Sequence, residues 1–240
     1  ISPQINEATI RLLNRHGIEV VVPKKINCCG SLNHHIGNEN LAKTAFKKNI
    51  SVWYDEYLKN GLDAIISNTS GCGTTLKDYG FIFRADKNFK KQAKKISELT
   101  KDISEYLDEK VKLNFVQGQK NEKKYKIAYH SACSMQHGQK IHNEPINLLK
   151  KTGNEVLNIP DGHICCGSAG TYNLLQNDIA IKLLENKISN IEKIKPQIIS
   201  TGNIGCITQI SYKTKIPILH TIEIIDWYTG GPKPKILEKL

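Results

Sequence analysis

A chain of 240 residues makes one large domain or two small ones, and 39% hydrophobic with 24% charged residues is a globular balance that excludes disordered, collagen-like and mucin-like chains. The longest uninterrupted apolar runs are a few residues, against about 20 for a bilayer span, and no charged start with an apolar core directs export, so a cytoplasmic chain without a transmembrane segment is expected. The net charge of +11 would suit a nucleic acid, yet only three of the 34 basic residues are arginine (Arg11, Arg15, Arg84), and lysine spread over the surface is the simpler reading, so no nucleic-acid partner is expected.

In chain order, residues 6–15 read as a helix and 18–22 as a short apolar strand that ends at Pro23, ahead of Cys28-Cys29-Gly30. Ala42, Phe46, Ile50, Trp53 and Tyr57 share one face of a longer helix and are expected in the core. A strand at 64–67 leads into a loop carrying Cys72. The polar, lysine-rich stretch 108–126, with Gly118, reads as a linker. The pattern then recurs: helix 143–151, strand 155–159 ending at Pro160, Cys165-Cys166-Gly167, a helix with Ala180, Leu184, Ile188 and Ile191 on one face, strand 197–201, and Cys206. A shift of 137 places superimposes both tripeptides, and with them Asn6-Glu7 on Asn143-Glu144, Leu12 on Leu149 and Pro23 on Pro160. The expected fold class is therefore α/β, two tandem similar units (1–118 and 119–240), each a small mostly parallel sheet flanked by helices. In such a sheet the cysteines lie at the carboxyl ends of strands, where ligands bind.

Seven cysteines are an odd number, and in a chain without an export signal they point to metal or redox chemistry rather than a disulfide framework. Cys133, Cys165, Cys166 and Cys206 can bring four thiolates from three loops onto one soft centre, a tetrahedral zinc or an iron–sulfur cluster. Adjacent cysteines chelate a single ion poorly, whereas a cluster offers each sulfur a different iron. The following glycine permits a tight turn, and its amide could donate to a sulfur. The first unit supplies Cys28, Cys29 and Cys72. Counting back from Cys28 by the spacing between Cys133 and Cys165 places the fourth counterpart ahead of Ile1, where the natural extension is expected to carry a cysteine. His130, His137 and His163, and His34 and His35 in the first unit, are expected as outer donors at most, not ligands. No Gly-x-Gly-x-x-Gly, Walker or Gly-x-Ser-x-Gly motif occurs, so neither a catalytic residue nor a flavin site is expected here.

The repeated Cys-Cys-Gly module resembles the cysteine-rich (CCG) domain found twice in the heterodisulfide reductase catalytic subunit, in lactate-utilisation proteins and in the iron–sulfur subunit of glycolate oxidase. The resemblance to the last is carried by CCGSLNHHIG at 28–37, CCGSAGTYNLL at 165–175, TGNIGC at 201–206 and DWYTGGPKP at 226–234. It implies an oxidoreductase subunit holding an iron–sulfur cluster of the 4Fe-4S type. It also implies flavin-binding glycolate oxidase subunits as partners, with FAD there, oxidising glycolate to glyoxylate, and quinone or the membrane surface on the acceptor side. Two departures stand out: Cys72 and Cys206 are not followed by a Cys-x-x-Cys ending, and His-Ser-Ala-Cys at 130–133 replaces the family's His-Asp-Pro-Cys. The family's amino-terminal ferredoxin-like cysteine runs are absent, which reads as a carboxyl-terminal part whose first domain is truncated at its start. A heterodisulfide-reductase-like or lactate-utilisation subunit, a thiol–disulfide reductase and a zinc-binding assembly module are the alternatives.

Overall fold

The computed structural model describes residues 2–116 and 124–238. Helix α1 (Pro3–Arg15) opens on a proline, whose missing N–H costs nothing in a first turn, and buries Ile5, Ala8, Leu12 and Leu13 along one side. There follow α2 (Ser31–His35), α3 (Glu39–Asn60), β1 (Ile65–Ser67), α4 (Ser70–Ile82), α5 (Lys90–Leu99), β2 (Thr100–Asp102) and α6 (Ile103–Lys110). The second half runs β3 (Lys126–Tyr129), one π-helical turn (Ser134–Gln139), α7 (Glu144–Lys151), β4 (Glu155–Asn158), α8 (Tyr172–Leu175) and α9 (Asn177–Lys193). It closes with β5 (Ile198–Thr201), α10 (Ile204–Ser211), β6 (Ile218–His220), α11 (Thr221–Tyr228) and a 3-10 turn (Lys235–Leu237).

Both sheets are parallel, as an α/β fold requires. β1 pairs with β2, and the larger sheet has the order β4-β3-β5-β6. β5 is buried along its whole length, the mark of a parallel strand covered by helices on both faces. The repeat extends to detail: β1 and β2 occupy the places of β5 and β6. Helices α6 and α11 then start with the same reciprocal cap, Asp102 with Glu105 in one and His220 with Glu223 in the other.

The expected strand at 18–22 is not one. Its counterpart β4 leans on β3, but among the described residues no strand stands beside 18–22, so the segment has no ladder to join. A cleft of about 950 Å³ lies there instead, lined by Ile18, Val20, Val22, Ile65 and Ile66. Trp53 and Tyr57 border it and stay half-buried, whereas Ala42, Phe46 and Ile50 on the same face are fully covered. Cys72 and Cys206, expected in loops, sit in the first turns of α4 and α10 because each helix starts almost at the end of its strand. The expected linker 108–126 gives its first residues to α6 and its last to β3, and Gly118 with the 118/119 boundary lies outside the described residues.

One apolar core draws on both halves: Leu12 and Leu13 of α1 pack with Ile127 of β3, Leu219 of β6, and Ile222 and Ile225 of α11. Arg11 and Arg15 of α1 reach the buried Asp226 of α11 at 2.7 and 2.8 Å. Smaller cores fill the space around Phe46 and Tyr79 between α3, α4 and α5, and around Leu184 and Ile199 under α9. No helix among the described residues is long and apolar enough to cross a membrane.

Candidate metal centre

The Cys-Cys-Gly tripeptide has a backbone reason as well as a chemical one. Gly30 and Gly167 both take left-handed conformations, with φ of 81° and 90°. A Cβ on Gly30 would meet Phe46 Cε1 of α3 at 2.6 Å, and one on Gly167 would strike the Ala180 carbonyl of α9. Each glycine thus lets its loop press against the long helix behind it and fixes the preceding cysteines.

In the second half, three strand ends converge. Cys133 caps the π-helical turn beyond β3, Cys165 and Cys166 lie in the loop after β4, and Cys206 opens α10 after β5. Cys133 and Cys165 are half-buried, while Cys166 and Cys206 are buried. The four form a continuous chain of interacting thiols. Hydrogen bonding to Cys165 pushes Cys133 up, and the bonds Cys165 receives from Cys133 and then Cys166 bring it well below the usual thiol range. Cys166 is raised in turn by Cys165 and Cys206. Cys206 is pushed down to about 5, first by the bond from Cys166 and, against the effect of burial, by His130. Backbone and amide donors point at sulfur as well: Gly167 N–H donates to Cys165 Sγ at 3.3 Å, and Asn203 Nδ2 donates to Cys206 Sγ at 3.6 Å.

His130 belongs to this group more closely than its sequence position implies. Its backbone N–H donates to the Ser200 carbonyl at 2.8 Å, which anchors it between β3 and β5. A ring nitrogen and the sulfurs of Cys166 and Cys206 all lie within 4.8 Å of one another, and neither ring nitrogen has another hydrogen-bond partner among the described residues. The signal in the sequence is its place three residues before Cys133. His34, His35, His137 and His163 are exposed and outside the group.

The first half assembles three thiols. Cys29 S–H donates to Cys72 Sγ at 3.0 Å, which raises Cys29 and lowers Cys72, with Cys28 exposed beside them. Tyr79 Oη donates to the Cys29 carbonyl at 2.7 Å and steadies the loop.

The two groups share a seam that sequence reasoning missed. Ser70, two residues before Cys72, hydrogen-bonds through its hydroxyl to that of Ser134, next to Cys133, at 2.7 Å. Thr74 Oγ1 donates to the Ser134 carbonyl at 2.9 Å, and Ser70 N–H to the Gly202 carbonyl at 3.1 Å.

Two parallel α/β halves that present clustered thiols at their strand ends define a thiolate-site protein of duplicated architecture. The comparisons give the family. The cysteine-rich domain model (CCG) matches residues 2–77 and 127–211, and the chain belongs to that family. It is 36% identical over 227 residues to the "Glycolate oxidase iron-sulfur subunit" of Escherichia coli (strain K12), covering 94% of this chain and 54% of the relative. To the "Probable glycolate oxidase iron-sulfur subunit" of Bacillus subtilis (strain 168) it is 32% identical, over 85% of this chain and 45% of the relative. The chain therefore spans about half the length of these curated relatives. It is 26% identical to "Lactate utilization protein A" of Geobacillus sp. (strain WCH70), over 92% of this chain and 91% of that protein.

Proposed function

We propose that this chain is the two-module part of an iron–sulfur electron-transfer subunit in a glycolate-oxidising complex. One observation carries the reading: a ring nitrogen of His130 and the sulfurs of Cys166 and Cys206 lie within 4.8 Å of one another, with Cys165 adjacent in the chain and N–H donors aimed at the sulfurs of Cys165 and Cys206. That donor set fits a cluster, since thiolates are its ligands and hydrogen bonds to sulfur tune it. In this reading Cys133, Cys165, Cys166 and Cys206 hold a cluster of the 4Fe-4S type, and Cys28, Cys29 and Cys72 contribute a second, three-thiolate site. The working units are 1–118 and 119–240. When bound, such a cluster carries electrons one at a time. The residues of this chain would hold it, donate N–H groups to the sulfurs of Cys165 and Cys206, and exclude water on the buried side. No hydride chemistry falls to this chain; it belongs to FAD on partner subunits oxidising glycolate to glyoxylate, with quinone as acceptor and a cytoplasmic, peripheral seat at the inner membrane face. A lactate-oxidising complex is the second reading, favoured by the match over nearly the full length of lactate utilization protein A.

The test is metal content. The complex, purified anaerobically with its flavin subunits, should be brown, with iron and acid-labile sulfide. Zinc without iron would overturn the reading in favour of an assembly module. Cys166→Ser should abolish the iron of the second site while dye reduction by the flavin subunits with glycolate persists, because the flavin takes the hydride. Dye reduction with lactate and not glycolate would select the second reading.

A further inference from the structure

The cleft beside residues 18–22 has the walls of a strand slot. No backbone N–H or C=O of Glu19, Val20, Val21 or Val22 forms a hydrogen bond among the described residues, and Val21 and Val22 are 47% and 62% exposed. Across the cleft, β1 pairs along one edge only, with β2, whereas its counterpart β5 pairs along both, with β6 and β3. Thr9 and Leu13 of α1 and Trp53 and Tyr57 of α3 line the same cleft. Unpaired peptide groups beside apolar side chains form an edge that another strand completes.

In the second half the corresponding slot is filled by β3. Its Ile127 and Tyr129 share a core with Leu148 and Leu149 of α7, and its Ala128 shares one with Leu184 of α9. Ala128 stands opposite Leu157 of β4 and Ile199 of β5. The counterparts of these two partners are Val20, 137 places before Leu157, and Ile65, which precedes Cys72 by seven residues as Ile199 precedes Cys206. Val20 and Ile65 both line the cleft. Parallel neighbours are joined through a helix, and β3 reaches β4 through α7. A strand beside 18–22 is joined in the same way through α1, so it precedes α1 in the chain. The matched glycolate oxidase subunits, of which this chain spans 54% and 45%, have length to spare for such a segment.

We propose that the cleft is the seat of one further parallel β-strand, supplied by the same polypeptide ahead of Ile1 and set between Val20 and Ile65 as Ala128 is set between Leu157 and Ile199. Its side chains are apolar on both faces, because α1 covers one and α3 the other. Seated, it joins 18–22 to β1 and β2 in a sheet with the order of the second half, β4-β3-β5-β6. Its carboxyl end then leads toward Cys28, Cys29 and Cys72 as β3 leads toward Cys133. The seat does not depend on what the thiols bind.

The experiment uses the full natural polypeptide. Hydrogen exchange read by mass spectrometry should show the amides of 19–22 slowed about a hundredfold or more against an unprotected peptide, and equally so on dilution. A proline at the residue 137 places before Ala128 should return 19–22 to the unprotected rate while β3 and β5 stay protected, because proline cannot donate to a ladder. Tyr57→p-benzoylphenylalanine, a photoreactive side chain at the rim of the cleft, should cross-link to the segment ahead of Ile1. Unprotected amides at 19–22, or a natural polypeptide with nothing ahead of Ile1, would overturn the proposal. Protection that falls on dilution would overturn it in favour of a second copy, and a cross-link to a partner subunit or to another part of this chain in favour of that occupant. If the proline variant does not fold, the cross-link decides, since it is read on a chain whose upstream segment is unchanged.

Discussion

At Gly167 two constraints coincide, a left-handed backbone and a neighbouring carbonyl where a side chain would stand. Gly17 shares the backbone conformation, with φ of 76°, but has open space around it. The pair separates strain from collision. Gly17→Ala should cost about 1–2 kcal/mol, the ordinary penalty for a left-handed L-residue. Gly167→Ala should cost about 2–5 kcal/mol, because forcing a methyl group against backbone adds an overpacking penalty. It should also loosen the thiols, since Gly167 N–H holds Cys165 Sγ. Urea unfolding of both variants, with iron retention measured alongside, checks this; equal losses would mean that the approach to Ala180 contributes nothing.

The paired caps of α6 and α11 set up a pH response in which two equivalent positions act in opposite directions. Asp102 and His220 border one water-sized cavity, and each is buried with one side-chain atom that has no hydrogen-bond partner among the described residues. Burial raises Asp102 from 3.8 to about 6, so the folded chain holds a proton there that the unfolded chain has released. Its contribution is present below about pH 4 and is lost as the pH rises through 6. By linkage it amounts to about 3 kcal/mol. Burial lowers His220 from 6.5 to about 4, so stability there is lost as the pH falls from 6.5 toward 4. The two slopes oppose each other between about pH 4 and 6. Asp102→Asn, which keeps a good helix cap, should leave a stability that climbs with pH across this window. His220→Asn should leave one that declines. Denaturant midpoints at half-unit pH steps would show it, and a profile for Asp102→Asn that overlays the wild type would refute the assignment.

Across the whole molecule, the shared core and the clamp on Asp226 bind the repeats into one cooperative body. Leu12 and Leu13 pack on residues of the opposite half, and Asp226 is buried under two arginines that remain partly in water. Removing the buried partner of an ion pair costs about 3–5 kcal/mol, and the exposure of Arg11 and Arg15 reduces this to about 2–3 kcal/mol for Asp226→Asn. Calorimetry should give a single transition for the chain, shifted down as a whole in the variant. Two transitions, with one unmoved, would mean that the halves unfold independently.

The duplication, the α/β class and the long helices were legible in the amino-acid sequence, because repeated tripeptides and helical periodicity are written in residue identity and spacing. Strands β3 and β6 were not, since three or four residues covered on both faces show no alternation, nor was β2, whose Thr-Lys-Asp carries no apolar signal. Residues 18–22 have the composition of a strand, yet strand formation needs a neighbour, and the neighbour is a tertiary fact. The same holds at the site. Cys133 announced itself by its spacing, but the approach of His130 to Cys166 and Cys206, the seam between Ser70 and Ser134, and the burial of Lys187 behind the second Cys-Cys loop depend on which elements pack together. Sequence alone determined which chemical groups this protein has to work with. Burial and long-range contact, which exist only once the chain is folded, decided which of those groups face one another and at what charge.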